Sequence, residues 1–127
     1  MLFRSDTLSL LDTSQALLQG MPAAAPTVGA NTSIGVVACN ARLDKAQAQR
    51  LAVAGHDGLA RSINPVHTLS DGDALFALGT GQSGKTAGMM VLGTLAAEVT
   101  ARAVVRAVRA ARGTAWGDLH WPSASEL

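Results

Sequence analysis

Asn31-Thr32-Ser33-Ile34-Gly35-Val36-Val37-Ala38-Cys39 is where the 127-residue chain changes character most abruptly. Just before it, Gly20 to Ala30 (GMPAAAPTVGA) holds two prolines, two glycines and no charged residue, the composition of an accessible linker. Ile34 to Cys39 is then almost continuously apolar and β-branched, which predicts a strand buried on both faces. Thr32 stands at the junction. A hydroxyl held still by a rigid strand, beside a bond that a loose tether can strain, is a candidate nucleophile.

Downstream, Asp44 with Gln47 forms a capping-box pattern that opens a helix, on which Leu51, Gly55, Leu59 and Ile63 recur every fourth residue. Gly55 would let another element pack closely, and Asn64-Pro65 is expected to end this helix. A loop carries His67 and Asp71-Gly72-Asp73 before a second apolar strand, Ala74 to Leu78. A glycine-rich turn, Gly79 to Gly84, leads into a long helix over 87–112, stopped by Gly113. Its expected polar stripe is Glu98, Arg102, Arg106 and Arg109, with Glu98 and Arg102 in the favourable i,i+4 order. Its other face is expected to hold Leu92, Leu95, Val99, Ala103 and Val108. Residues 2–18 suggest short strand or helix fragments, and 116–127 a tail whose Trp116 and Trp121 dock on a neighbour. Two wholly apolar strands cannot satisfy both faces and both edges of a sheet, so the pattern is that of half a sheet.

A threonine becomes nucleophile and base together once its own α-amino group is free, because that amine, with a pKa near 8, sits beside the hydroxyl it must deprotonate. Freeing it requires cleavage between Asn31 and Thr32, which the Thr32 hydroxyl can begin by attacking the Asn31 carbonyl. Asp71 and Asp73, one residue apart in an extended segment, point to the same side and could orient that amine. Taken alone, the residues also fit plainer readings, since Asn-Thr pairs are common and Asp-Gly-Asp is usually a solvated turn.

Five blocks carry a resemblance: 31–38 (NTSIGVVA), 43–52 (LDKAQAQRLA), 56–61 (HDGLAR), 65–68 (PVHT) and 71–78 (DGDALFAL). In this order and spacing they resemble the L-aminopeptidase/D-esterase family, which also holds the β-peptidyl aminopeptidases and nylon-oligomer hydrolases. The resemblance covers residues 29–112. It implies an N-terminal-nucleophile hydrolase, an α/β protein with an αββα sandwich, made as a precursor that cleaves itself into α and β subunits and assembles further. By position Thr32 matches the nucleophile that begins the β subunit, Asn31 the residue before the scissile bond, and Asp71 and Asp73 the acidic pair of the Thr-nucleophile branch. The β-peptidyl branch has a serine and a glutamate at those two places, so this chain is nearer the former. Cys39 stands where a threonine is common.

The implied organisation is residues 1–31 as α-side tether and processing loop, 32–113 as the β-subunit-like catalytic half, and 114–127 as a C-terminal tail. Family members are more than twice as long. Their α part supplies an oxyanion-stabilising asparagine and a lysine or tyrosine near the nucleophile, and no residue of 1–30 fits either role. The expected fold is therefore incomplete without an α-subunit region. The expected partners are a peptide or peptide-like amide substrate, an α-subunit-like chain and further copies in an oligomer, with no cofactor and no metal. The alternative is an inactive fragment or partner subunit that needs an α chain.

Composition narrows the classes. Ten basic and nine acidic residues give a net charge of +1, and two Phe, two Trp and no Tyr leave little to stack on bases, so no nucleic-acid partner is expected. A single cysteine, Cys39, rules out an internal disulfide, and His56, His67 and His120 lack metal-ligand spacing. With no apolar run long enough for a membrane span and no secretory pattern, the expected compartment is the cytoplasm. Gly79 to Thr86 (GTGQSGKT) matches the phosphate-binding pattern G-x-x-x-x-G-K-[ST] literally, but the further strands of a nucleotide-binding domain are missing, and a strand-to-helix turn is the simpler reading. Asn31-Thr32-Ser33 also fits a glycosylation sequon, which means little without secretion. His56 and His67 read as structural histidines.

Overall fold

The computed structural model describes residues 3–4, 9–20 and 32–127. The stretch 21–31, which holds nearly all of the linker together with Asn31, lies outside the described residues. In chain order the elements are β1 (Phe3–Arg4), β2 (Ser9–Leu10), α1 (Thr13–Leu18), β3 (Ile34–Cys39), α2 (Lys45–Ala60), β4 (Ala74–Gly79), α3 (Met89–Ala110), β5 (Thr114–Trp116) and β6 (Leu119–Trp121). The fold of these residues is mixed α/β. Its centre is a β3–α2–β4 unit in which the two strands pair in parallel, Ile34 opposite Ala74 through Cys39 opposite Gly79. A parallel pair needs a crossover, and α2 supplies it.

Local chemistry accounts for α2. The Asp44 side chain accepts the Gln47 N–H at 2.8 Å and the Gln47 side chain accepts the Asp44 N–H at 3.0 Å, closing the capping box at the helix start. The helix stops at Ala60, before Asn64-Pro65: the Arg61 N–H bonds back to Asp57, and the Ser62 hydroxyl takes the Gly58 carbonyl at 2.8 Å, so backbone groups are satisfied by a turn of side-chain and main-chain bonds and not by further helix. Ile63 thus falls past the helix.

Val37, Leu51, Ala54 and Ala96 form the core, with Cys39, Leu43, Ala77, Met89 and Leu92 packed around them. Helix α2 lies between the sheet and α3, and two glycines set its distance from each. A Cβ on Gly55 would come 2.8 Å from a Leu75 methyl, and one on Gly58 would come 2.4 Å from the Ala97 carbonyl oxygen. The close approach at Gly58 decides which face of α3 is buried. Ala96, Ala97 and Thr100 are buried against α2, whereas Leu95, Val99 and Val108, expected on the packed face, are 52%, 50% and 41% exposed. Small side chains permit short interhelical distance, and the larger apolar stripe is left open. Glu98 ties the two helices on the outside, accepting from Arg61 at 3.0 Å and from Arg102 at 2.7 Å. Helix α3 begins at Met89 and ends at Ala110, two residues inside each expected boundary; Ala111 leaves in extended backbone before Gly113 is reached.

The strands differ from the expectation of burial on both faces. One side of the β3–β4 pair packs on α2 through Val37 and its neighbours. The other presents Ile34, Val36, Phe76 and Leu78, each more than half exposed. The described residues supply a covering layer for one face alone. The C-terminal residues, read as a tail, form a short antiparallel hairpin of β5 and β6, and Trp116 and Trp121 are both exposed on it. The fragments expected near the start are present as the β1–β2 pair and the short helix α1.

Candidate functional site

The first end of the β3–β4 ladder brings together residues from three parts of the chain. Thr32 and Ser33 lead into β3, residues 71–73 lead into β4, and the loop from α2 to β4 folds over them. The parallel ladder begins with the Ala74 N–H donating to the Ser33 carbonyl at 2.9 Å. One residue earlier a side chain continues the pattern: Asp73 Oδ1 accepts the Ser33 N–H at 2.8 Å. Thr32, itself exposed, lies beside Gly72, whose missing side chain leaves room for the hydroxyl; a Cβ there would lie 3.0 Å from Thr32 Oγ1.

Asp73 is the buried acid of the pair, its side chain 5% exposed. Its second oxygen, Oδ2, meets His67 Nδ1 at 2.8 Å. Burial pushes the carboxyl up, but the hydrogen bonds from Ser33 and the bond and charge of His67 outweigh it and hold the group below its ordinary range. Asp73 is therefore an anion at neutral pH. Asp71 does different work: its Oδ2 accepts the Thr68 N–H at 2.7 Å and its own N–H bonds to the Thr68 carbonyl, closing a turn over 68–71. The two aspartates stand at the same end of the sheet. In this state Asp73 is the one engaged with the segment after Thr32.

Sequence reasoning missed the role of the histidines. His67 bridges Asp73 and His56, with its Nε2 3.3 Å from His56 Nδ1. His56 is on α2, so the helix and the loop are joined here. The one available signal was the nearness of His67 to the Asp71-Gly72-Asp73 loop; nothing in the spacing of 56 and 67 indicates that their rings meet. A groove of about 630 Å³ runs from Thr32 and Ser33 along β3, with Leu59, Ile63, Thr100 and Val104 on its helical side. Its lining is mostly apolar and includes the exposed Val99 and Val108 of α3.

The phosphate-loop match does not build an anion cradle. Helix α3 starts at Met89 with Gly88 as cap, so Lys85 and Thr86 precede it in non-helical backbone, and the Ser83 hydroxyl is spent on the Asn40 carbonyl at 2.8 Å. In a phosphate loop the helix N-terminal amides face the anion directly. Among the described residues no cluster of His, Cys, Asp or Glu could hold a metal ion, and no helix is long and apolar enough to cross a membrane.

A threonine hydroxyl just before a strand, an anionic aspartate on the next amide and an adjoining apolar groove meet at this end of the sheet. Comparison with known proteins places the chain in a peptidase family. The model of peptidase family S58 matches residues 6–120, and the chain belongs to this family, the L-aminopeptidase/D-esterase family. An uncharacterized aminopeptidase of Mycobacterium tuberculosis (strain ATCC 25618 / H37Rv) is 45% identical over 91 residues, covering 61% of this chain and 26% of that protein. An uncharacterized aminopeptidase of Mycobacterium leprae (strain TN) is 44% identical over 103 residues, 71% of this chain and 28% of the other. A 6-aminohexanoate-oligomer endohydrolase of Kocuria sp. (strain KY2) is 30% identical over 111 residues, 79% of this chain and 31% of the other. The chain thus spans between a quarter and a third of the length of these three relatives.

Proposed function

We propose that this chain is the nucleophile-bearing part of a peptidase or amidohydrolase that cleaves a peptide or peptide-like amide through Thr32. The observation that carries the proposal is the setting of the Thr32 segment: Asp73 takes the Ser33 N–H at 2.8 Å, and Gly72 leaves space for the Thr32 hydroxyl. Family membership and relatives named aminopeptidase or oligomer endohydrolase support the same reading.

In the proposed first stage Thr32 Oγ attacks the Asn31 carbonyl, the peptide nitrogen leaves as the Thr32 α-amine, and the ester that joins Asn31 to Oγ is hydrolysed by water. In the second stage the free amine accepts the Oγ proton as Oγ attacks a substrate amide, and returns a proton to the departing nitrogen; water then releases the acyl group. Asp73, and Asp71 once the turn over 68–71 adjusts, orient the amine and favour its protonation between steps. Donors for the developing oxyanion come from an α-subunit-like region, since removing even one such donor commonly costs about a hundredfold or more. That region would also cover the open face of Ile34, Val36, Phe76 and Leu78, completing an αββα sandwich. The division proposed is a tether over 1–31, a catalytic half over 32–113 and a terminal segment over 114–127, with assembly into an oligomer and residence in the cytoplasm.

Thr32→Ala should abolish both cleavage after Asn31 and substrate turnover; activity surviving in that variant overturns the proposal. The open sheet face favours a second reading, a subunit inactive until it meets an α chain. Co-expression with an α-subunit-like chain separates the two: activity that appears only with the partner supports a split enzyme, and none in either case supports an inactive fragment.

A further inference from the structure

Asp73 is held from both of its oxygens, and the grip on the second comes from a residue in an unusual backbone state. His67 has φ of 56°, in the left-handed region that a Cβ disfavours. Such a conformation persists when its surroundings over-determine it. Here both ring nitrogens are engaged, Nδ1 with Asp73 Oδ2 at 2.8 Å and Nε2 with His56 Nδ1 at 3.3 Å.

The protons of this chain of contacts follow from what each atom can do. An ionised carboxylate only accepts, so His67 Nδ1 carries a hydrogen. Neutral His67 then has a bare Nε2, and His56 must donate to it from Nδ1. If His67 gains a proton on Nε2, His56 must present a bare Nδ1 and so is neutral. While both contacts last, the pair holds at most one positive charge. Two directions are fixed, His67 to Asp73 Oδ2 and Ser33 N–H to Asp73 Oδ1, while the His56–His67 contact runs either way with the protonation of His67.

We propose that His67 is a positioning residue for Asp73, and that His56 holds the His67 ring in place, so that the line His56–His67–Asp73–Ser33 holds the segment beside Thr32 in register. The proposal rests on the reading of Thr32 as nucleophile, and His67 acts through Asp73 without touching the reacting atoms. With the Nδ1 donor gone, the Asp73 carboxylate is free to turn about its last side-chain bond. The Ser33 amide then loses its aligned acceptor, and the Thr32 hydroxyl its fixed place. A displacement well under an ångström at a nucleophile is enough to slow an acyl transfer about tenfold.

The experiment uses the full chain and three variants. His67→Gly removes the donor and suits the left-handed backbone; His67→Asn also tolerates that backbone but returns an amide N–H near the Nδ1 position. His56→Ala removes the outer partner. Each is read twice: by the rate of cleavage between Asn31 and Thr32 from intact mass, and by the Ser33 amide proton shift in a Thr32→Ala background that keeps the chain uncut. The expected result is an upfield Ser33 amide and cleavage about tenfold slower in His67→Gly, a smaller change of the same kind in His56→Ala, and recovery of both readouts in His67→Asn. A Ser33 amide and a cleavage rate in His67→Gly that match the parent chain overturn the proposal, as does failure of His67→Asn to restore what His67→Gly loses. If the parent chain cleaves neither alone nor with an α-subunit-like chain, the nucleophile reading fails on its own, and the Ser33 amide alone still decides whether His67 positions Asp73.

Discussion

Gly72→Ala tests how finely the Thr32 hydroxyl is placed. The new methyl carbon would lie 3.0 Å from Thr32 Oγ1, with Thr32 Cγ2 and Cβ at 3.9 and 4.0 Å, which are ordinary contacts. The clash is therefore with Thr32 Oγ1 alone, and relief requires that oxygen to move by a few tenths of an ångström. If a displacement of 1 Å costs about a hundredfold, one of this size costs about five- to tenfold in the rate at which Oγ1 attacks the Asn31 carbonyl. Stability should change little, because the φ of Gly72 is one that alanine adopts and the site is open on its far side. The assay is the half-time of cleavage by intact mass, with thermal unfolding of the same sample as the control for fold. Gly88→Ala, where an added Cβ meets nothing within 4 Å, serves as the comparison and should cleave at the parent rate. Cleavage in Gly72→Ala as fast as in the parent chain, at equal stability, would refute the reasoning.

Two helix glycines should respond to alanine with opposite signs. Gly58→Ala drives a methyl to 2.4 Å from the Ala97 carbonyl oxygen and 2.6 Å from Thr100 Cβ, and should cost about 2 kcal/mol net, lowering the melting temperature by about 7 °C, whereas Gly93→Ala meets only the Ala54 methyl at 3.5 Å and should gain about 0.5–1 kcal/mol of helix propensity. Asp44→Ala removes half of a closed capping box and should cost about 1 kcal/mol, seen as a fall of about 4 °C in melting temperature. The lowered pKa of Asp73 has a definite sign for stability: its bonds contribute fully above the unfolded value near 3.8, and the contribution is lost as pH falls through the lower folded pKa. The Asp73 carboxyl resonance should therefore titrate below 3.8, the Ser33 amide should follow it, and a midpoint above 3.8 would contradict the described hydrogen bonds.

Much of the βαβ unit was legible because local signals agreed with one another. The apolar run from Ile34, the Asp44–Gln47 box and the apolar run from Ala74 each specify an element without help from elsewhere. The face of α3 was not legible. Periodicity favours Leu95, Val99 and Val108 as the packed stripe, but a partner helix with Gly58 at the contact selects Ala96, Ala97 and Thr100, and that selection is a property of two helices together. The end of α2 was misplaced for a related reason: Pro65 forbids helix beyond it, yet the Ser62 hydroxyl and the Arg61 amide had already closed the turn. At the site, the pairing of the 32–33 and 71–73 segments followed from the two strands lying side by side. The joining of His56 to His67 did not, because it depends on a left-handed backbone at His67 that its sequence neighbours do not demand.

The open face of the β3–β4 pair gives the site its energetic context. Four large side chains, Ile34, Val36, Phe76 and Leu78, remain more than half exposed on one side of a two-stranded ladder. Burying any one of them fully is worth about 1.5–3 kcal/mol, so a partner layer would gain substantially here. It would also stiffen the strand whose first residues carry Thr32 and Ser33.

The central claim is that Thr32 is placed to free its own amine, and the most direct measurement is the intact mass of the chain after incubation at neutral pH, alone and co-expressed with an α-subunit-like chain. Two products are expected, residues 1–31 and 32–127, and a single uncut mass for Thr32→Ala under the same conditions. A parent chain that stays whole both alone and with the partner, or a Thr32→Ala chain that still divides after Asn31, would contradict it.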